Sequence, residues 1–163
     1  PVLFVANVSE GKHADETMVQ AVRDFAGKRG AGVVTICGQL EAELSLLPEA
    51  ERADFLKELE LTESGLVRLT REAYMLLNLV TFFTAGEIES RAWPIARGTR
   101  APQAAGKIHS DMERGFIRAE VYHYDDLLAC GSEAKVKEKG LFRLEGKDYV
   151  VKEADIVYFR FNV

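Results

Sequence analysis

The chain has 163 residues, 47% hydrophobic and 29% charged, with a net charge of −5. That length holds one ordinary domain, or a small domain beside part of another, with a globular composition. No apolar run approaches the roughly 18–20 residues of a membrane span and no basic-then-apolar leader is present, so the cytoplasm is the expected compartment and no membrane partner is expected.

Val2-Leu3-Phe4-Val5-Ala6 is an apolar strand running into the loop Asn7-Val8-Ser9-Glu10. Asp15 is placed to cap a helix whose apolar positions Met18, Val19, Val22, Phe25 and Ala26 follow helical spacing. Gly27, Gly30 and Gly32 end it, and Val33-Val34-Thr35-Ile36-Cys37 is a short β-branched strand. Strands of that kind are buried on both faces of a parallel sheet. The unit is strand–helix–strand, the edge of an open α/β domain. Three helices follow: 41–47, one started by Pro48 with Ala53, Leu56 and Leu59 on one face, and one after Ser64 with a Leu66, Leu69, Ala73 and Leu77 stripe.

After Asn78 the chain turns β-rich. Residues 79–84 and 90–95 form a hairpin around Ala85-Gly86-Glu87. Residues 102–113 read as one helix with Ala104, Ala105, Ile108 and Met112 facing inward. A strand over 116–122 and short helical turns over 125–139 come next. Residues 141–144 are expected to pair with 149–151 across Glu145-Gly146-Lys147-Asp148, and 156–163 is the closing strand. Its Val157, Phe159, Phe161 and Val163 alternate with Tyr158, Arg160 and Asn162. The pattern fits a small α+β sheet with one helix packed on its face.

Charge divides the chain as the elements do. Residues 1–78 carry 8 basic and 13 acidic side chains, whereas 79–163 carry 13 of each. Arg91, Arg97, Arg100, Lys107, Arg114 and Arg118 face only Asp111 and Glu113 over the segment 91–118. Such a segment suits phosphate contacts, with Trp93 or Phe116 for stacking, or a solvated face paired with Glu87, Glu89 and Glu120.

Few motifs carry chemistry. Cys37 and Cys130 lie far apart, and His13, His109 and His123 form no metal-ligand spacing, so no metal site is read in this chain. Gly106-Lys107 resembles the tail of a phosphate loop, but Ala101 replaces its first Gly and Ile108 its Ser or Thr. No nucleophile–base pair and no catalytic residue is identified. The loop Asn7-Val8-Ser9-Glu10 stands at the carboxyl end of a strand, where open α/β sheets place ligands, and Cys37-Gly38-Gln39 ends the next strand at the same edge. Guanine-reading loops carry N-K-x-D; here Val8 and Glu10 occupy the Lys and Asp positions. One extra C–C bond spoils bidentate pairing at about 2.7–3.2 Å, so guanine loses its advantage and adenine becomes acceptable.

Together, Asn7-Val8-Ser9-Glu10, residues 37–44, 81–86 and 91–93, Ala101 to Asp111, Gly115 to Val121, Glu145 to Val151 and Phe159 to Val163 resemble the C-terminal part of the Obg-like ATPase family, also called YchF. Met112 departs from it, standing where Phe is expected, and a flexible side chain absorbs that change. The resemblance implies that 1–78 is the C-terminal part of an Obg-type P-loop nucleotidase domain, an α/β remnant of strand–helix–strand plus helices. It implies that 79–163 is an α+β TGS domain of ubiquitin-like β-grasp fold. It further implies ATP hydrolysis in preference to GTP with Mg²⁺ in the intact protein, ribosome association, and links to translation and stress responses. Asn7, Val8, Ser9, Glu10, Cys37 and Gly38 become the expected nucleotide-binding residues. Arg91, Arg97, Arg100, Lys107, Arg114 and Arg118 become the expected contacts to ribosomal RNA, and no DNA partner is expected. The Mg²⁺ ligands and phosphate loop are not in this chain, and phosphoryl transfer depends on both; the chain alone is therefore expected to hydrolyse nothing. The alternative is a ribosome-binding adaptor module without enzymatic activity.

Overall fold

Strands β1 (Leu3–Asn7) and β2 (Gly32–Ile36) pair in parallel, Leu3 opposite Gly32 through Asn7 opposite Ile36. Parallel neighbours need a crossover, here helix α1 (Glu16–Gly27). The computed structural model describes residues 1–9, 16–86 and 89–162, so Glu10, Asp15, Glu87 and Val163 lie outside the described residues. The chain divides into two compact units, Pro1–Leu77 and Asn78–Val163.

In the first unit the strand–helix–strand order agrees with the periodicity, but its burial does not. Only Val34 of β2 is buried, because the sheet has just two strands. Of the five inward positions expected on α1, Val19 and Ala26 are buried whereas Met18 and Phe25 are exposed. Phe25 packs edge-on against Phe4, ring centroids 5.8 Å apart, and its outer face is covered by the Arg29 guanidinium. Helices α2 (Gly38–Leu46), α3 (Glu49–Glu58) and α4 (Gly65–Leu76) follow. Helix α3 buries nothing, and its expected face is exposed at Ala53 and Leu59. The expected stripe on α4 is also displaced: Leu66 and Leu77 are exposed, while Gly65 is buried and Arg68, Leu69, Glu72, Ala73 and Leu76 are half-buried. Gly65 leads this face because its bare Cα lets the helix approach β2; a Cβ there would stand 3.0 Å from Ile36 Cγ2.

The second unit is built on one five-stranded sheet. Strands β3 (Leu79–Ala85) and β4 (Ser90–Ala96) form the expected antiparallel hairpin, closed by the Gly86 N–H donating to the Glu89 carbonyl at 2.9 Å. Helices α5 (Ala101–Ile108) and α6 (Ser110–Arg114) precede strand β5 (Phe116–His123). Helices α7 (Tyr124–Cys130) and α8 (Glu133–Glu138), strand β6 (Arg143–Glu145) and strand β7 (Asp155–Phe161) complete it. The strand order is β4-β3-β7-β5-β6, with β7 parallel to β3 and antiparallel to β5. Edge strand β4 carries Pro94, which a central strand does not tolerate.

One sheet face holds the main core: Val80, Phe82, Ile95, Ala119, Val121, Val157 and Phe159 against Ala101, Ala104 and Ala105 of α5, with Ile108 and Met112 packed on its rim. The opposite face holds Tyr122 and Ile156 against Cys130 of α7 and Val136 of α8, so helices pack on both faces where one was expected. Three further expectations are corrected. The single helix over 102–113 is two, because His109 is extended (φ −157°, ψ 141°) and its imidazole Nδ1 accepts the Asp111 N–H at 3.2 Å. Segments 141–144 and 149–151 do not pair with each other: β6 pairs with β5, and Val150 bridges Arg100. Residues 149–152 are held instead by fully buried Asp155, whose Oδ2 accepts the Tyr149 hydroxyl at 2.7 Å and the Lys152 N–H at 2.8 Å. Finally, Phe161 does not join the inward row of β7 and is exposed.

Gly115 marks the tightest backbone approach in this unit. Its N–H donates to the Asp111 carbonyl and its carbonyl accepts the Asn162 N–H, each at 2.9 Å, and a Cβ there would lie 2.0 Å from the Asn162 carbonyl oxygen. Gly115→Ala is therefore expected to destabilise the fold by about 2–3 kcal/mol, the scale of overpacking in a rigid site. Chemical denaturation of the two forms measures it, and superimposable curves would show that the strand end yields at no cost.

Candidate functional site

Parallel pairing puts the carboxyl ends of β1 and β2 at one edge, the place where open α/β sheets bind ligands. Asn7 ends β1, and its Oδ1 accepts the Gly38 N–H at 2.9 Å. The Val8 N–H donates to the Ile36 carbonyl at 2.8 Å. One side-chain and one backbone bond thus tie the two loops, and a Cβ on Gly38 would press within 3.3 Å of Asn7 Oδ1. Beside this junction is a cavity of about 470 Å³ lined by Val8, Ser9, Ile36, Cys37 and Leu40, by Leu59 and Leu61 after α3, and by the polar side chains of Glu41 and Arg68. The structure therefore brings Asn7 to Gly38 and sets Val8, Ser9 and Cys37 on the cavity wall; Glu10 lies outside the described residues.

Sequence reading missed Glu41, Gly65 and Arg68. Glu41 is buried, and its carboxylate accepts the Gly65 N–H at 2.6 Å. Arg68 donates from Nη2 to the Thr35 carbonyl at 3.1 Å, while its Nε is buried without a hydrogen-bond partner. An acid in the first turn of a helix is an ordinary pattern, so only the approach of α4 singles Glu41 out. Among the described residues no three His, Cys, Asp or Glu side chains converge to hold a metal.

In the second unit the six expected basic contacts fall in different surroundings. Arg91 stacks over the Trp93 ring at 4.4 Å, and Trp93 Nε1 donates to Thr84 Oγ1 at 3.0 Å. Arg100 pairs with Asp148 at 3.0 Å, Arg114 with Asp111, and Arg118 with Glu120 at 3.4 Å. Arg97 and Lys107 are exposed and form no ion pair among the described residues. Arg118 alternates with the core residue Ala119 and so projects from the sheet face opposite α5.

That opposite face carries a charged and aromatic network. Arg160 grips Glu120 with Nε on one carboxylate oxygen at 2.9 Å and Nη2 on the other at 2.8 Å. These bonds hold the Glu120 carboxyl below its ordinary value against the opposing effect of burial. Glu133 is likewise held low, first by Lys137 at 2.6 Å and then by the Tyr158 hydroxyl at 2.9 Å. Burial, reinforced by Glu133, pushes the Tyr158 phenol up. Carboxylates with lowered folded values contribute stability above their unfolded value, and that stability is lost as the pH falls through the folded value. The acid limb of unfolding, below the ordinary carboxylate value of 4.5, is therefore expected to flatten in Glu120→Gln. An unchanged limb in a pH series of denaturation curves would locate the acid sensitivity elsewhere.

The fold is that of an α/β unit with a cavity at the carboxyl ends of its parallel strands, followed in the chain by a mixed-sheet unit. The model of the family YchF-GTPase_C, described as a protein of unknown function (DUF933), matches residues 79–162. The Ribosome-binding ATPase YchF of Bacillus subtilis (strain 168) is 51% identical over 166 residues, spanning 100% of this chain and 45% of that protein. Its counterpart from Escherichia coli O157:H7 is 47% identical over 163 residues with the same coverage. The solved structure of the Schizosaccharomyces pombe YchF GTPase superposes with a TM-score of 0.81 at 31% identity, over 98% of this chain and 43% of that one. A GTP-binding protein from Pyrococcus horikoshii OT3 shares the fold, with a TM-score of 0.67 at 17% identity over 99% of this chain and 46% of that one. The chain belongs to the YchF family and matches its C-terminal part. It spans 45% of the length of these curated relatives.

Proposed function

We propose that the first unit is the base-reading end of an ATP-preferring nucleotidase, and that the second is a TGS module of β-grasp fold that engages the ribosome. The observation that carries the first part is the Asn7–Gly38 hydrogen bond beside the cavity. Because Gly38 occupies the Asn7 oxygen, the amide Nδ2 remains to donate to a base acceptor such as purine N7. Adenine and guanine share that acceptor, so Asn7 selects a purine and leaves the choice between them to Val8, Ser9 and Glu10. Cys37 and Gly38 form the facing loop. Mg²⁺ and the phosphate cradle belong to residues outside this chain, and no step of phosphoryl transfer is assigned to residues within it.

Relatives named Ribosome-binding ATPase YchF support both halves of the reading. The β-grasp assignment is supported by a hairpin, a helix against its inner face, and a last strand running parallel to the first. A ribosome partner places the protein in the cytoplasm, in keeping with the proposed links to translation and stress responses.

In the intact protein, Val8→Lys with Glu10→Asp is expected to move nucleotide preference toward GTP by about tenfold, the worth of one good charged hydrogen bond. Competition between ATP and GTP measures it, and an unmoved preference would reject the base-loop assignment.

The adaptor reading rests on Arg97 and Lys107, which are exposed and available to phosphates. Reversing both charges is expected to weaken ribosome co-sedimentation and to lower its salt dependence by roughly one unit of log–log slope per cation removed. Unaltered sedimentation at every salt concentration would point to another surface.

A further inference from the structure

The Cys37–Gly38 loop has its two flanks held by one turn of one helix. Thr35 stands before it in β2, and the Thr35 carbonyl accepts from Arg68 at 3.1 Å. Among the described residues β2 pairs with β1 alone, so this arginine supplies a partner where no further described strand does. Glu41 stands after the loop, in the first turn of α2, and its carboxylate accepts the Gly65 N–H at 2.6 Å. Gly65 and Arg68 both belong to the first turn of α4. The clamp is close-packed: a Cβ on Gly65 would lie 3.0 Å from both Glu41 Oε1 and Ile36 Cγ2. Both ends are charge-assisted, and such bonds are the stronger kind.

We propose that Glu41, Gly65 and Arg68 are positioning residues for the base loop, holding it where the Gly38 N–H meets Asn7 Oδ1. The inference rests on the base-loop reading above. The clamp touches the loop's flanks and leaves the tip free for ligand. Its loss lets Gly38 drift from Asn7, and a hydrogen bond weakens steeply once its angle opens. The clamp acts on the base loop, so its effect is expected on nucleotide affinity.

The test uses the full-length protein carrying Glu41→Gln, Gly65→Ala, Arg68→Met or Arg68→Lys, with Asn7→Ala as the reference. Steady-state ATP hydrolysis, binding of a fluorescent ATP analogue and thermal melting are measured on each. Glu41→Gln, Gly65→Ala and Arg68→Met are expected to raise KM and the analogue Kd about tenfold with kcat within twofold. Arg68→Lys, which still reaches Thr35, is expected to recover most of the loss. Lower melting temperatures with unchanged KM in the variants that fold would overturn the proposal and leave the clamp a purely structural feature. A kcat loss equal to the change in kcat/KM would overturn it too. Should Asn7→Ala itself leave Kd unchanged, the base-loop reading falls first; should Asn7→Ala weaken binding while the clamp variants do not, the positioning role alone falls.

Discussion

Parallel strands run carboxyl end beside carboxyl end, and no tight turn can join them. Each unit of this chain contains one such pair, and much of its architecture follows. In the first, β1 beside β2 requires the crossover through α1 and brings Asn7 and Gly38 to one edge. In the second, β7 beside β3 means that the chain between them has to leave the sheet and return to its centre. That excursion supplies the helices on both faces, which cover Phe82 and Phe159 on one side and Tyr122 and Ile156 on the other.

Buried acids set the register that apolar contacts leave loose. Hydrophobic burial is non-directional, whereas a carboxylate out of water needs its partners at defined distances. Asp155 collects Tyr149 and Lys152 on one oxygen and faces Arg143 at 3.5 Å with the other, which draws the turn after β6 to the end of the sheet. Glu120 spans neighbouring strands through Arg160. Glu41 joins α2 to α4 beside the cavity. Glu41 and Glu120 thereby link segments distant in sequence, whereas Asp155 closes a local turn.

Family membership and these local geometries meet at the strand edge of the first unit. Its sheet has two strands, and Val5, Met18 and Phe25 are exposed. The chain spans less than half of its curated relatives, 45% of their length. The second unit has its own two-sided core.

Periodicity made the elements legible. The hairpin over 79–95, the crossover helix after β1 and the inward row Val157 and Phe159 follow from side-chain alternation and helical spacing, which act over a few residues. The Asn7 loop and the Cys37–Gly38 loop were legible as two ends of one sheet for the same reason. The face that α4 presents was not, because its leucine stripe yields to the close approach that Gly65 permits. Nor was the break at His109, where a histidine side chain competes for the Asp111 amide. The basic segment 91–118 read as one patch, yet it contains residues on opposite sheet faces and three arginines already paired with acids. By itself the sequence determined most of the strands and helices, the 102–113 helix and the 149–151 strand excepted, and the family they belong to, since those depend on local pattern and on the order of motifs. Tertiary structure alone decided that Glu41 meets the Gly65 amide, that Arg68 meets the Thr35 carbonyl and that Arg160 grips Glu120, because these pairs join residues far apart in the chain and exist only once packing has brought them within hydrogen-bond reach.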